Sequence, residues 1–544
     1  MALTPTDEQA AIMAAAARQD GASLMVKAYA GTAKTTTLTM AAQGIRVPGL
    51  ALAFNKSIAN ELKGKLPANF ETKTLNGLGH GAWIRALPQG TKIEIDERKL
   101  GKLVSQEAKS SKMDLTTDQW DSVRKLVSGA MLAGITPGDE GMPLALDTRA
   151  GWEAVADELL LSNEEFDLLW ELARRVLTQS VTMAKRGLIS FDDQVYASVC
   201  LGGKFPQFPM VMVDEAQDLS PLNHAMLTKV GRKGGRFLVC GDPRQAIYAF
   251  RGASTESMDL MRPLSPDWGD FALTLTFRCP RSVVARQQSH APGFRAAPGN
   301  AEGRVTRLGV TPDFATDGPE VDGWLWKDLL EAAWPGSRQL AVLCRNNAPL
   351  LKLAFLLLRN NVGVKMLGTD IGRGLVALSR GLAPDNATPR DIAEGKIRDW
   401  IQAESSKALT EDKPAKAAGI MDRGQCLLAV FSGAGASTAG DLRLALAKLF
   451  DRVDGTVVLS SIHRAKGLEW DTVVMLDPWR IPSVFAKKAA LRGDERQLQQ
   501  EYNLRYVGET RTRQHLVLAD AEGFQFDVAA QPPDTSHQHQ EQAE

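Results

Sequence analysis

Lys34 and Thr35 are the first residues in this chain whose setting suggests chemistry. They follow an apolar run over residues 23–30 (SLMVKAYA) and a tight Gly31-Thr32-Ala33 turn, and they open a helical run. A strand, a glycine-containing loop and a helix in that order make a phosphate cradle. The loop from Ala30 to Thr36 and the helix N-terminus aim backbone N–H groups at one point. In such a cradle Lys34 reaches the β- and γ-phosphates of a nucleotide, and the Thr35 hydroxyl ligates Mg²⁺. The strict pattern G-x-x-x-x-G-K-[ST] is broken, because Ala28 and Ala33 fill both glycine positions. If Ala33 sits at positive φ it costs about 1–2 kcal/mol; if it is right-handed helical it costs little.

Two further constellations follow apolar runs. Val211-Met-Val-Asp-Glu-Ala-Gln-Asp218 places acids at a strand end, where Asp214 suits a Mg²⁺ ligand and Glu215 suits the polarising of an attacking water. Gly241-Asp-Pro-Arg-Gln245, after Arg236-Phe-Leu-Val-Cys240, places Gln245 to sense a γ-phosphate, while Tyr248, Phe250 and Arg251 offer aromatic and cationic faces. Bases stack on such faces for about 1–3 kcal/mol each, whatever their sequence.

The elements that must position these residues alternate. Residues 3–83 read as strand 23–28, helix 34–43, strand 49–54, helix 56–66 and strand 70–73, the pattern of parallel βαβ units. Helical spacing replaces strand signals over 84–187, and α/β order resumes with strand 208–213, helix 221–230 and strand 236–240. A second α/β block is expected to begin near 271 (FALTLTF) and to continue through strands near 304, 340, 456–462, 471–477 and 515–520. Residues 367–452 read as a small, mostly helical insertion in that block, and 522–544 as a polar, disordered tail.

Composition narrows the class. Lys+Arg and Asp+Glu are 64 each, so a nucleic-acid partner has to be argued from local sites. Five cysteines are far apart with no C-x-x-C pair, which argues against zinc or a disulfide framework and fits a reducing cytosol. No signal peptide is expected from MALTPTDEQAAIM, and no apolar run reaches the roughly 18 residues of a membrane span.

Taken together, DEAQDLSP and GDPRQAIYAFRGA resemble motifs II and III of the UvrD/Rep type of superfamily 1 helicases. Other stretches match in order from residue 3 to about 520. Gln9 in LTPTDEQ resembles the adenine-reading Q motif. Phe54-Asn55-Lys56 and Thr74-Leu-Asn76-Gly77 resemble motifs Ia and Ib, which contact single-stranded DNA. Phe191-Asp-Asp193 resembles the acidic signature ahead of motif II. Leu275-Thr-Phe-Arg278-Cys-Pro280 resembles motif IV, with Arg278 on the γ-phosphate. Ser461-Ile-His463-Arg-Ala-Lys-Gly-Leu-Glu469-Trp470 resembles motif V, with Glu469 on the nucleotide side and His463 towards DNA. Tyr506-Val-Gly-Glu-Thr-Arg511 resembles motif VI, with Arg511 as the second γ-phosphate arginine.

The resemblance implies two RecA-like parallel-sheet domains, each with a mostly helical insertion, and ATP in the cleft between them. Domain 1A would comprise 1–83 and 188–268, insertion 1B 84–187, domain 2A 269–366 and 453–521, and a short 2B 367–452, as in compact phage and F-box-type relatives. It further implies a monomeric 3′-to-5′ DNA helicase or translocase using ATP and Mg²⁺ on single-stranded and tailed duplex DNA. Departures from the family pattern are Ala33, Thr36 where repair members carry an adenine-stacking arginine, Phe277 in place of a tyrosine, and Glu509 in YVGETRTR. They leave open a second expectation, a DNA-binding regulatory module with a weakened ATPase.

Overall fold

The computed structural model describes residues 4–18, 21–53, 56–138, 141, 143–159, 161, 163–247, 257–308, 320–321, 324–325, 340–410, 414–452, 454–493, 495–520 and 524–525. The chain divides into two compact units, Met1–Leu275 and Thr276–Glu544.

Six strands form the sheet of the first unit: β1 Ser23–Ala28, β2 Gly49–Ala53, β3 Phe70–Thr74, β4 Phe208–Val213, β5 Gly231–Gly241 and β6 Trp268–Leu273. Their spatial order is β3-β2-β4-β5-β1-β6, and every pairing is parallel. Parallel strands send all their C-terminal ends to one sheet edge. Because β4, β5 and β1 are neighbours, the loops that carry Asp214, Gln245 and Lys34 emerge side by side.

Side-chain alternation explains why this sheet is buried on both faces. Leu24, Val26 and Ala28 of β1 pack with Ile12, Leu38 and Ala41 from helices Asp7–Ala17 and Lys34–Ala42. Met25 points the other way and joins Leu50, Leu52, Val211 and Val213. That second face is covered by Leu103, Val127, Leu172 and Val199, from helices Lys99–Ser110, Thr117–Ala133, Asn163–Lys185 and Phe191–Cys200. The helical stretch after residue 84 therefore shares one core with the sheet. At its root, Glu94–Ile95 pairs with Leu188–Ile189, strands too short to leave a period in the sequence.

One expectation is corrected. The strand read near 271 as the opening of the second block is β6, which pairs with β1 in the register Val26↔Phe271 and closes the first sheet. Its composition is that of any half-buried strand, so nothing local distinguished the two sheets.

The second unit carries β7 Arg304–Leu308, β8 Glu320–Val321, β9 Leu340–Cys344, β10 Val364–Met366, β11 Val457–Ser461, β12 Trp470–Leu476 and β13 Thr512–Ala519. The order is β8-β7-β13-β12-β9-β11-β10, again wholly parallel. Val342, Leu459, Val474 and Val517 share a core with Leu351, Leu375, Phe431 and Leu446. These come from helices Asn347–Arg359, Thr369–Leu382, Pro414–Ala434 and Ala439–Phe450, so the helices of 369–450 also rest on the sheet. The fold class is thus α/β with two parallel-sheet units. All five cysteines are free and buried, as small hydrophobes would be. Among the described residues no helix is long and apolar enough to cross a membrane, and no cluster of His, Cys, Asp and Glu could hold a metal by itself.

Candidate functional site

The first unit's site is built at the C-terminal ends of β1, β4 and β5. After β1 the chain turns through Gly31 at φ 70° and Ala33 at φ 59°, both left-handed. Ala33 is the N-cap of helix Lys34–Ala42 and makes no side-chain cap bond. The first-turn N–H groups of a helix have no intrahelical partner, so this end is left for an external acceptor. Positive φ is where an L-residue pays, and Ala33 therefore carries about 1–2 kcal/mol of strain. Thr32 is buried, with its hydroxyl donating to the Tyr29 carbonyl at 2.9 Å, and Ala30 is buried beneath the loop. Thr36 lies partly exposed on the first helical turn.

Lys34 Nζ lies 3.2 Å from Glu215 Oε1, and Thr35 Oγ1 donates to Asp214 Oδ2 at 2.8 Å. Burial by itself would lower the Lys34 pKa, but Glu215, Asp242 and Asp214 outweigh it and raise the ammonium above the ordinary lysine range. Asp214 is pushed up to about 6, by burial first and by the Glu215 charge second. Asp242 is raised too, again by burial. Three buried or half-buried acids thus surround one lysine, and an additional cation is what this charge balance favours. A hydroxyl and a carboxylate oxygen already in hydrogen-bond contact are the oxygen donors that Mg²⁺ takes. The residues present fit both the nucleotide and the metal.

Glu215 is itself left-handed, at φ 52°, with its N–H donating to Asp214 Oδ1 at 2.9 Å. Gln245 Nε2 donates to Asp242 Oδ2 at 2.7 Å. Gln9 is buried, its Oε1 accepting from the Thr6 N–H at 3.0 Å and its Nε2 donating to Thr37 Oγ1 at 3.0 Å. Thr37 Oγ1 in turn donates to the Ala33 carbonyl, so Gln9 braces the Gly31-Thr32-Ala33 turn from behind. An adenine-reading role requires Gln9 to exchange one of these bonds.

The residues expected at DNA divide three ways. Phe54, Asn55, Tyr248, Phe250 and Arg251 lie outside the described residues. Thr74 is a helix N-cap that accepts from the Gly77 N–H at 3.1 Å, and Asn76 donates to the Phe191 carbonyl at 3.0 Å. Both side chains already have internal work. His463, in the second unit, has its pKa lowered to about 4 by burial and then by the Arg345 charge. It is neutral at physiological pH and offers a hydrogen bond rather than a charge.

Both arginines that the sequence points to in the second unit, Arg278 and Arg511, already have partners. Arg278 is ion-paired to Glu469, which also accepts from Arg513 Nε at 3.1 Å. Burial would raise the Glu469 pKa, but Arg278 and Arg513 hold it low. Arg511 is 1 % exposed, with Nε donating to the Val507 carbonyl at 2.9 Å. Phe277 is half exposed, a free aromatic face beside Arg278. Glu509 is buried between Arg286 Nε at 2.8 Å and Arg505 Nε at 2.9 Å, with Gln287 also donating to it. Its charge in the YVGETRTR stretch is thereby explained: it is a structural hub under motif VI.

Reading the sequence missed Asp242, Gln217 and the Arg345–Glu501 pair. Gln217 is fully buried, and Arg345 at the end of β9 pairs with Glu501, Nε to Oε2 at 2.8 Å. The available signals were Asp242 directly after a buried strand and the arginine ending LAVLCR.

Two families of known proteins match stretches of this chain. The UvrD/REP helicase N-terminal domain family matches residues 200–264, which span Asp214, Glu215 and Gln245, and the UvrD-like helicase C-terminal domain family matches 442–523, which span Glu469 and Arg511. The chain is 25% identical over 538 residues to F-box DNA helicase protein 1 of Schizosaccharomyces pombe, covering 92% of this chain and 56% of that one. It is 25% identical over 552 residues to ATP-dependent DNA helicase UvrD2 of Mycobacterium tuberculosis, covering 91% and 76%. A shorter match, 46% over 65 residues, is to the putative ATP-dependent DNA helicase YjcD of Bacillus subtilis, 12% of this chain and 9% of that one. The chain therefore spans little more than half the length of the first of these relatives.

Proposed function

Since the chain belongs to the UvrD-like helicases of superfamily 1, we propose that it is an ATP-dependent DNA helicase or translocase moving 3′-to-5′ on single-stranded DNA, in replication, recombination or repair. The observation that carries this reading is the assembly of Lys34, Thr35, Asp214 and Glu215 within hydrogen-bond distance in one unit. ATP supplies a transferable γ-phosphoryl group, and Mg²⁺ supplies charge neutralisation on its oxygens. Thr35 and Asp214 would hold the metal. Lys34 leaves Glu215 to neutralise the phosphates, and Glu215 accepts a proton from the attacking water. Gln245 reports the γ-phosphate to the segment that follows it. The resemblance assigns Arg278 and Arg511 of the second unit to the same phosphate, so nucleotide state sets what both units bind. The substrate is proposed to be single-stranded and tailed duplex DNA, bound by a monomer.

ATP hydrolysis measured with and without single-stranded DNA tests the activity, and strand displacement on 3′- and 5′-tailed duplexes tests substrate and direction. Turnover that DNA does not stimulate, or that survives Lys34→Ala, sinks the reading. One observation favours the second reading, a DNA-binding regulator with a weakened motor: Ala33 is left-handed, where alanine is strained. A large rise in turnover in Ala33→Gly supports weakening, and unchanged turnover dismisses it.

A further inference from the structure

Gln217 lies in the turn after Asp214 and Glu215 and is 0% exposed. Its carboxamide uses both ends. Nε2 donates to Glu215 Oε2 at 2.6 Å, and Oε1 accepts from the Asp242 backbone N–H at 2.9 Å. Asp242 Oδ2 in turn accepts from Gln245 Nε2 at 2.7 Å. A continuous chain of hydrogen bonds therefore runs from Gln245 through Asp242 and Gln217 to Glu215, whose other oxygen meets Lys34. The strand end makes room for this amide. A Cβ on Gly241 would stand 2.6 Å from Gln217 Oε1, which only glycine avoids.

We infer that Gln217 is a positioning residue for the hydrolytic carboxylate, coupling it to Gln245. The two oxygens of Glu215 have different partners, and this division matters. When phosphate draws Lys34 away, Oε1 loses its ion pair and becomes the acceptor for water. Oε2 stays bonded to Gln217, so the carboxylate cannot swing after the lysine. A displacement of Gln245 moves Asp242, and through the rigid amide it moves Glu215. This inference rests on the proposed ATPase activity.

The test is steady-state ATPase on the full chain, with nucleotide affinity measured separately by a fluorescent ATP analogue. Gln217→Met keeps the volume and removes both bonds. It should lower kcat about 10- to 100-fold, the effect of loosening a catalytic group by an ångström, with affinity changed less than about threefold. Gly241→Ala should give the same split by displacing the amide. Gln217→Glu places a carboxyl beside Glu215, and only its protonated form can donate. Its activity relative to the wild type at the same pH should recover as pH falls, a profile that Gln217→Met does not share. The inference is overturned if Gln217→Met keeps kcat within twofold, or if kcat, affinity and thermal stability fall together in all three variants. A wild-type chain with no ATPase sinks both the functional reading and this inference. An active wild type with an indifferent Gln217→Met sinks the inference alone.

Discussion

The two units handle charge in opposite ways. At the strand ends of the first, Asp214, Glu215 and Asp242 surround one lysine, an arrangement short of positive charge. In the second, each arginine near a nucleotide-type motif already has a partner: Glu469 for Arg278, backbone carbonyls for Arg511, Glu509 for Arg286 and Arg505. The first unit has more acid than base at these strand ends, a balance that the proposed metal–nucleotide complex would redress. The second presents satisfied cations, whose guanidiniums must trade a partner before they can act on a phosphate. One site is poised by deficit and the other is held in reserve.

This contrast can be broken by experiment. The largest effect should come from Lys34→Ala, which removes the cation that acts on Glu215, Asp242 and Asp214 together. ATP turnover should fall about 10²–10³-fold in a coupled-enzyme assay. A smaller loss would show that the deficit is not what poises the first site. Next is Glu509→Gln, which leaves the largely buried Arg286 and the partly exposed Arg505 against a neutral amide. Urea unfolding should show the second unit destabilised by about 3 kcal/mol. The folded-state pKa of Glu509 is held low, burial opposing and the two arginines prevailing. Its stabilisation is therefore present above the ordinary carboxylate range and is lost as pH falls through the folded pKa. A wild-type and variant pair should converge in stability at low pH.

A third measurement addresses Asp214. Because burial and Glu215 raise its pKa to about 6, it is protonated and a poor Mg²⁺ ligand below that pH. Turnover should decline roughly tenfold per pH unit on the acid side, as for one essential carboxylate. Raising Mg²⁺ should shift that limb to lower pH, since metal and proton compete. A limb indifferent to Mg²⁺ would remove Asp214 from the metal site. The smallest effect is expected from Ala33→Gly. Relief of left-handed strain, partly offset by a freer unfolded chain, should stabilise the first unit by about 1 kcal/mol in thermal unfolding. No gain would mean that the loop relaxes around Ala33 at no cost.

Much of the site was legible because its chemistry is local. Lys34 and Thr35 opening a helix after a strand, and Asp214-Glu215 ending another, are one-dimensional patterns that the backbone converts into geometry by rules of period and register. Gln217 was not legible, because a glutamine inside DEAQD has no signature until β5 places the Asp242 N–H across from it. Glu509 looked like an anomaly for the same reason, since Arg286 stands 223 residues away in the chain. Thr74 caps the helix it precedes, a local pattern, whereas the bond from Asn76 to the Phe191 carbonyl joins residues 115 apart in the chain.

The amino-acid sequence alone determined the parallel α/β class, the strand–turn–helix that carries Lys34 and the order of the motifs along the chain, because strand and helix periods and turn chemistry are short-range. Only the tertiary structure decided that Trp268–Leu273 closes the first sheet, that Ala33 is left-handed, and that Glu215 is tied through Gln217 to Gln245. Those outcomes depend on which distant strands become neighbours. Strand neighbours are chosen by burying two faces of a whole sheet, a global requirement that leaves no mark on any single stretch.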